Sequence, residues 1–104
     1  MERGQLLSEI KRRLQEAFGE RLRGVVLYGS VARGDDRPDS DVDVLLLLDK
    51  PATTWEDVHT AYATLISFML KIGKVIDIQV VDIRRYEECD APLYAAARKE
   101  GIRA

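Results

Sequence analysis

The sequence is poor in residues that build covalent or metal-stabilised frameworks. It contains one cysteine and one histidine among 104 residues. The single Cys89 excludes an internal disulfide and provides no cluster of zinc ligands, which is typical of proteins from a reducing cytoplasm. We therefore expect a cytoplasmic protein that folds on its hydrophobic core alone.

Long hydrophobic runs and a strong charge of one sign are also missing. The longest apolar run, Val44–Leu48, is far shorter than the roughly 20 residues that cross a bilayer. No apolar segment follows the charged N-terminal residues, so the pattern of a signal peptide is absent. The formal net charge of −2 argues against direct nucleic-acid binding, which needs a concentrated positive surface. Neither a membrane nor a nucleic acid is an expected partner.

The residues that are present fit a single domain covering 1–104. Hydrophobic residues make up 46% and charged residues 33%, an ordinary balance for a globular protein. A chain of this length can build one core, but not a catalytic domain together with a separate acceptor-binding domain. The sequence has no repeat, low-complexity tract or linker that would divide it.

Hydrophobic periodicity predicts alternating helices and strands. The helix between the second and third strands forms a β-α-β unit, which implies that these two strands are parallel. The first two strands can run either way on loop length alone. The predicted fold class is α/β (α+β), a small mixed sheet of three to four strands flanked by helices. The predicted elements are a helix over 2–18, a strand over 24–28, a helical turn over 30–33, a strand over 41–48, a helix from Thr53 or Thr54 to Gly73, a strand over 75–81 and a helix over 92–100.

The long central helix has apolar residues along one side. Thr53 and Thr54, each followed three residues later by an acid, resemble helix N-caps. The spacing predicts that one set of residues faces the core: Trp55, Val58, Tyr62, Leu65, Ile66, Met69 and Ile72.

Three aspartates are candidates for a metal site. Asp41 and Asp43 lie two residues apart on one strand, so their side chains project from the same face. Asp77 is the third residue of its strand, as Asp43 is of its own, so parallel pairing brings them together. Two such charges about 6 Å apart repel by roughly 2.8 kcal/mol at an effective dielectric of 20. A bound cation relieves this repulsion, and Mg²⁺ prefers carboxylates that leave room for water and phosphate oxygens.

Gly29 and Ser30 end the first strand and are candidates for phosphate binding. Gly29 allows close approach to the backbone, and the free amides of the following helical turn suit a phosphate. For this turn to share a site with Asp41 and Asp43, the first two strands must be antiparallel.

Each motif alone has a simpler explanation. An isolated Gly-Ser is most often a plain turn, and an isolated Asp-x-Asp is more often an acidic loop. A calcium loop fits poorly, because Val44 and leucines follow Asp43 where glycine and glutamate are needed. Arg33 is equally suited to a phosphate and to an ion pair with Asp35 or Asp36. The coincidence of the motifs on adjacent elements favours one common site.

The combined motifs resemble those of a known family. The segments 27–34, Leu-Tyr-Gly-Ser-Val-Ala-Arg-Gly, and 40–43, Ser-Asp-Val-Asp, are similar to the signature of DNA polymerase β-type nucleotidyltransferases. The closest likeness is to their minimal branch, the antitoxins of HEPN/MNT toxin–antitoxin pairs. The third-aspartate strand over 75–78 and the closing Glu-Gly-Ile over 100–102 extend the resemblance to the C-terminus.

The resemblance implies a fold, an activity and site residues. The fold is the polymerase β-like nucleotidyltransferase fold, and the reaction is transfer of a nucleoside monophosphate, AMP from ATP, with two Mg²⁺ ions. The implied partner is a helical HEPN-type toxin that carries the acceptor hydroxyl. The implied catalytic and metal-binding residues are Asp41, Asp43 and Asp77, and the implied nucleotide-binding residues are Gly29, Ser30 and Arg33.

Two other functions remain open on the sequence. The domain can act as a binding module that neutralises its partner without catalysis, although a relic would be expected to have lost a metal ligand. Alternatively, it can be a stand-alone nucleotidyltransferase for a small molecule. A neighbouring gene for a small helical protein with an R-x₄₋₆-H motif would favour the protein acceptor.

Overall fold

The computed structural model describes residues 1–35, 37–49 and 54–104. Helices alternate with strands as the periodicity predicts. The elements are α1 Arg3–Phe18, a 3₁₀ turn Gly19–Arg21, β1 Leu22–Tyr28, α2 Gly29–Arg33, β2 Val42–Leu48, α3 Thr54–Ile72, β3 Ile76–Asp82, α4 Ile83–Glu88, α5 Pro92–Glu100 and β4 Ile102–Arg103.

Four strands form one mixed sheet in the order β3-β2-β1-β4. β1 runs antiparallel to β2, and β2 runs parallel to β3. β4 pairs antiparallel with β1 through Val26 and Leu27. The predicted α+β fold with a small mixed sheet is confirmed, and so are the directions predicted for the first three strands.

Strand β2 lies inside the sheet and is covered on both faces. Val44 and Leu46 pack in one apolar cluster with residues of α1 and α3. Leu45 and Leu47 point to the other face and pack in a second cluster that includes Tyr86 of α4 and Ala97 of α5. Because successive side chains alternate between faces, a strand buried on both sides needs the continuous apolar run seen in the sequence.

The last helix has the predicted bounds, and the first ends as predicted but begins one residue later, at Arg3. Glu2 caps α1 by accepting a hydrogen bond from the amide of Gly4, and Gln5 completes a capping box. Helix α5 begins at Pro92 and is followed by Gly101. Within the described ranges, no helix combines the length and apolar character that a membrane crossing requires.

The predicted buried side of α3 is partly wrong. Trp55 and Ile66 are 69% and 52% exposed. The core-facing side is rotated toward Ala61 and Phe68, and it includes Asp57, which is 4% exposed. The hydrophobic periodicity gave the wrong side because an aspartate at position 57 is expected to face solvent. In the structure Asp57 lies on the core-facing side, where its Oδ2 is 2.7 Å from Nη2 of Arg21. The predicted caps lie outside the description, since Thr53 is not among the described residues and nor is the side chain of Thr54.

Three short elements were not predicted, and one of them is the 3₁₀ turn Gly19–Arg21. The six-residue helix α4 follows β3 directly, with Asp82 accepting a hydrogen bond from the amide of Arg84 as its N-cap. The two-residue strand β4 extends the sheet beside β1. Elements this short carry no period of their own, and β4 follows α5 directly after the extended Gly101.

Candidate active site

The two strand aspartates lie side by side in the sheet. Asp43 on β2 is the direct register partner of Asp77 on β3 and of Tyr28 on β1. Adjacent strands are about 4.8 Å apart, so the two carboxylates start from neighbouring backbone positions. The sequence predicted that Asp43 and Asp77 take equivalent positions in neighbouring parallel strands, and the structure pairs them in this way.

Asp41 precedes the first residue of β2. It is exposed, as is Asp77, whereas Asp43 between them is half-buried. The strand face of Asp43 continues into Leu45 and Leu47, which α4 and α5 cover. The aspartates thus lie at the open end of a face whose other end is closed by helices.

The electrostatic state of Asp43 reflects this position. Its pKa is raised above the ordinary value, first because partial burial disfavours the charged form. The negative charges of Asp77 and Asp41 raise the pKa further, and the positive charge of Arg33 lowers it. A carboxylate under this repulsion favours the approach of a cation.

Gly29 makes the space that the carboxylate of Asp43 occupies. Its φ of +77° lies in the left-handed region that favours glycine. A Cβ at this position would lie 2.4 Å from Oδ2 of Asp43, much closer than two such atoms can approach. The Gly-Ser turn and the Asp-x-Asp strand are therefore in direct contact, and the missing side chain of Gly29 makes this contact possible.

Ser30 and Arg33 belong to the short helix α2, which begins at Gly29. Ser30 is half-buried. The first amides of a helix have no partner within it and point toward the helix N-terminus, where a phosphate can accept from them. Arg33 is exposed and its Nε lies 3.4 Å from Oδ2 of Asp35, a loose ion pair. The alternative pair with Asp36 lies outside the described residues.

Three residues beside the site were not singled out from the sequence. The hydroxyl of Tyr62 on α3 accepts from the amide of Ile78 at 2.9 Å and lies 3.3 Å from Oδ1 of Asp77. Gln79 lies 3.5 Å from the hydroxyl of Tyr28. The hydrophobic periodicity placed Tyr62 on the core-facing side of its helix. The one feature of the sequence that indicated a polar partner is the tyrosine hydroxyl on this otherwise apolar side.

The surroundings of the site also raise the pKa of the Tyr28 hydroxyl. Its pKa is raised to about 12, mainly by burial and further by the charges of Asp43 and Asp77. Tyr28 therefore stays neutral at physiological pH. It forms the wall of the site on the β1 side.

The donor set suits magnesium, provided that further ligands come from outside the protein. In the described part of the chain, no three acidic, histidine or cysteine side chains are close enough to hold a metal ion by themselves. The available donors are carboxylate oxygens, and Asp43 sits in a cradle that a Cβ at Gly29 would fill. Mg²⁺ commonly completes such a partial set with water and substrate phosphates. The residues present therefore fit a magnesium ion that arrives with a nucleotide.

Comparison with known proteins identifies the family. A family model described as a nucleotidyltransferase domain matches residues 7–103. The chain therefore belongs to the nucleotidyltransferase domain family, which confirms the resemblance to nucleotidyltransferases and the fold class. It is a transferase domain of the nucleotidyl class.

One curated protein is similar to about half of this chain. A stretch of 56 residues is 39% identical to a protein of Methanocaldococcus jannaschii that carries the provisional name protein adenylyltransferase. The stretch is 54% of this chain and 57% of the relative. The chain thus matches just over half the length of that protein.

Proposed function

We propose that this domain transfers AMP from ATP to a hydroxyl group on a partner protein, with magnesium as its cofactor. The observation that carries the proposal is the contact between Gly29 and Asp43, with Asp77 beside Asp43 in the neighbouring strand. This contact joins a phosphate-binding turn to paired carboxylates. Nucleotidyl transfer needs both in one site, since the triphosphate must be held while charge develops on it.

The protein's own residues divide the work of the reaction. The backbone of Gly29 and Ser30 holds the triphosphate, and Arg33 leaves its loose pair with Asp35 to bind a phosphate oxygen. The acceptor oxygen attacks the α-phosphorus, a new P–O bond forms, and the bond to pyrophosphate breaks. Asp77 is exposed and accepts the proton of the attacking hydroxyl.

Asp41, Asp43 and Asp77 are the residues that would hold magnesium. Two Mg²⁺ ions held by these carboxylates would supply charge stabilisation during the transfer. The raised pKa of Asp43, which results first from burial and then from the charges of Asp77 and Asp41, supports this assignment, because a bound cation stabilises the charged form that both effects disfavour. ATP is proposed as the donor because the relative is named as an adenylyltransferase.

The proposed acceptor is a side-chain hydroxyl, a tyrosine, of a separately encoded helical protein of the HEPN type. Addition of AMP would silence that protein and make this domain its antitoxin. The name of the relative supports a protein acceptor. The resemblance of the 27–43 motifs to antitoxins of HEPN/MNT pairs supports the identity of the partner.

The direct test is intact-mass spectrometry of the partner after incubation with this protein, Mg²⁺ and ATP. We expect the partner to gain one or more AMP units, and we expect no gain with Asp41→Asn. Asp39→Asn is the matched control, because Asp39 is an equally exposed acid in the preceding turn. This control should retain full transfer.

Each alternative function gives a different result in this experiment. Tight binding and neutralisation of the partner without a mass gain would replace the enzyme by a binding module. Release of pyrophosphate with a small-molecule acceptor but without any protein acceptor would make it a small-molecule nucleotidyltransferase.

A further inference from the structure

Helix α3 carries an apolar stripe on its solvent side. Trp55, Ile66 and Leu70 are 69%, 52% and 78% exposed. His59 and Ala63 are exposed between them, and the rings of Trp55 and His59 meet edge to face at 6.0 Å. Steps of three or four residues keep these positions on one side of the helix. We refer to these five residues as the α3 stripe.

The opposite side of the same helix is already buried in the core. Ala61, Leu65 and Phe68 are at most 1% exposed. A helix that is apolar on both sides is usually enclosed by protein. From Trp55 to Leu70 the stripe is about 22 Å long, enough for a helix–helix contact over four turns.

The stripe is complementary to itself in the antiparallel direction. Trp55 and Leu70 are equally distant from a midpoint between Tyr62 and Ala63. His59 and Ile66 share the same midpoint. Two antiparallel copies of α3 centred there would pack each tryptophan on a leucine and each histidine on an isoleucine. Such reciprocal pairing is the property of a two-fold interface.

The charges beside the stripe support the same arrangement. Glu56 lies in the first turn of α3 and Lys71 in the last. They are about 22 Å apart along one helix, so they cannot pair within a molecule. Among the described residues, neither forms an ion pair. Antiparallel packing about the midpoint places Glu56 of each copy opposite position 69 of the other, about 3 Å along the helix from Lys71 and on the same flank, within reach of its long side chain.

The location of the stripe leaves Asp43 of the active site open. Tyr62 lies at the midpoint of α3, and its hydroxyl accepts from the amide of Ile78 on β3, the strand at the edge of the sheet. The side chain of Asp43 projects from the opposite sheet face to the one that α3 covers. Two copies joined at the α3 stripe therefore leave the carboxylate of Asp43 uncovered.

We propose that two copies of this chain associate through antiparallel packing of the α3 stripe. The contact is isologous, with Trp55 opposite the second copy's Leu70 and Glu56 within reach of the second copy's Lys71. The proposal concerns assembly and does not depend on the proposed reaction.

The test is sedimentation velocity of the full chain over a range of protein concentrations. The wild type should form a dimer, and Leu70→Glu should weaken it about a hundredfold or more, because the contact would bury an unpaired charge. Thr60→Glu is the matched control, since it adds the same charge to an exposed position of α3 outside the stripe. The control should dimerise as the wild type does.

A charge exchange tests the orientation of the two helices. Glu56→Lys alone places two lysines together at each end and should weaken the dimer about tenfold. The double variant Glu56→Lys with Lys71→Glu restores opposite charges and should recover the wild-type affinity. Because both variants change only exposed residues, a circular dichroism spectrum like that of the wild type is expected for each.

Three results would overturn the proposal. The first is a wild type that stays monomeric at every concentration. The second is a dimer that Leu70→Glu and Thr60→Glu weaken equally. The third is a double charge variant that remains as weak as Glu56→Lys, which would exclude the antiparallel pairing.

Discussion

Replacing Gly29 by alanine separates two roles of this residue, its backbone conformation and the space that it leaves for Asp43. Gly29 has a φ of +77°, and a Cβ there would lie 2.4 Å from Oδ2 of Asp43. Gly73 has a φ of +69° and nothing within 4 Å of the equivalent position. Gly73→Ala is therefore a matched control that introduces the backbone strain without the clash.

The two substitutions should destabilise the fold to a similar degree. An alanine in the left-handed region costs about 1–2 kcal/mol. For a domain of this size, each kcal/mol lowers the melting temperature by about 4–8 °C. The clash in Gly29→Ala adds little to this cost, because the half-buried carboxylate of Asp43 can rotate away. That rotation displaces the carboxylate by about 1 Å, which is enough to reduce the function of a site about a hundredfold.

Calorimetric titration with ATP and Mg²⁺, combined with thermal melting, distinguishes the two roles. We expect both variants to melt at similarly lowered temperatures, and only Gly29→Ala to bind the nucleotide far more weakly. Equal nucleotide affinity in both variants would refute the idea that Gly29 positions Asp43. A much larger loss of melting temperature in Gly29→Ala alone would show that the clash acts on the fold rather than on the site.

Three further substitutions test the energetics. Asp43→Asn should raise stability at neutral pH without metal by about 1 kcal/mol. Because the folded pKa of Asp43 is raised, the wild type loses this stability as pH rises above the ordinary value of 3.8, and melting across pH should show that the variant does not. Tyr62→Phe removes the acceptor of the Ile78 amide and should lower the free energy of unfolding by about 1 kcal/mol in urea. Arg21→Ala leaves the buried Asp57 without this partner and should cost about 2 kcal/mol in the same assay, less than a fully buried pair because Arg21 is partly exposed. An unchanged urea midpoint, or an unchanged pH profile for Asp43→Asn, would contradict the corresponding assignment.

The sheet was predictable because its strands carry strong and independent signals. The run Val44–Leu48 predicted a strand buried on both faces. The pairing of Asp43 with Asp77 was predicted because each is the third residue of its predicted strand. The antiparallel direction of β1 followed from requiring Gly29 and Asp43 to share a site. The structure contains that contact.

The orientation of α3 was less predictable for a physical reason. Its residues are apolar on two sides, so periodicity alone did not decide which side faces the sheet. Asp57 appeared to mark a polar side, but Arg21 neutralises it in the core at a separation of 36 residues. The hydrogen bonds of Tyr62 likewise involve residues distant in the sequence, Asp77 and Ile78 of β3. Such pairings are long-range and leave no local pattern in the sequence.

The central claim is that the aspartates bind a metal together with a nucleotide. Calorimetric titration of the wild type with ATP, once with Mg²⁺ and once with EDTA, tests this claim most directly, and Asp41→Asn provides the matching variant. We expect the wild type to bind ATP only when Mg²⁺ is present. We expect Asp41→Asn to lose this binding while it keeps the melting temperature of the wild type. Equal affinity for ATP in Mg²⁺ and in EDTA would contradict the central claim.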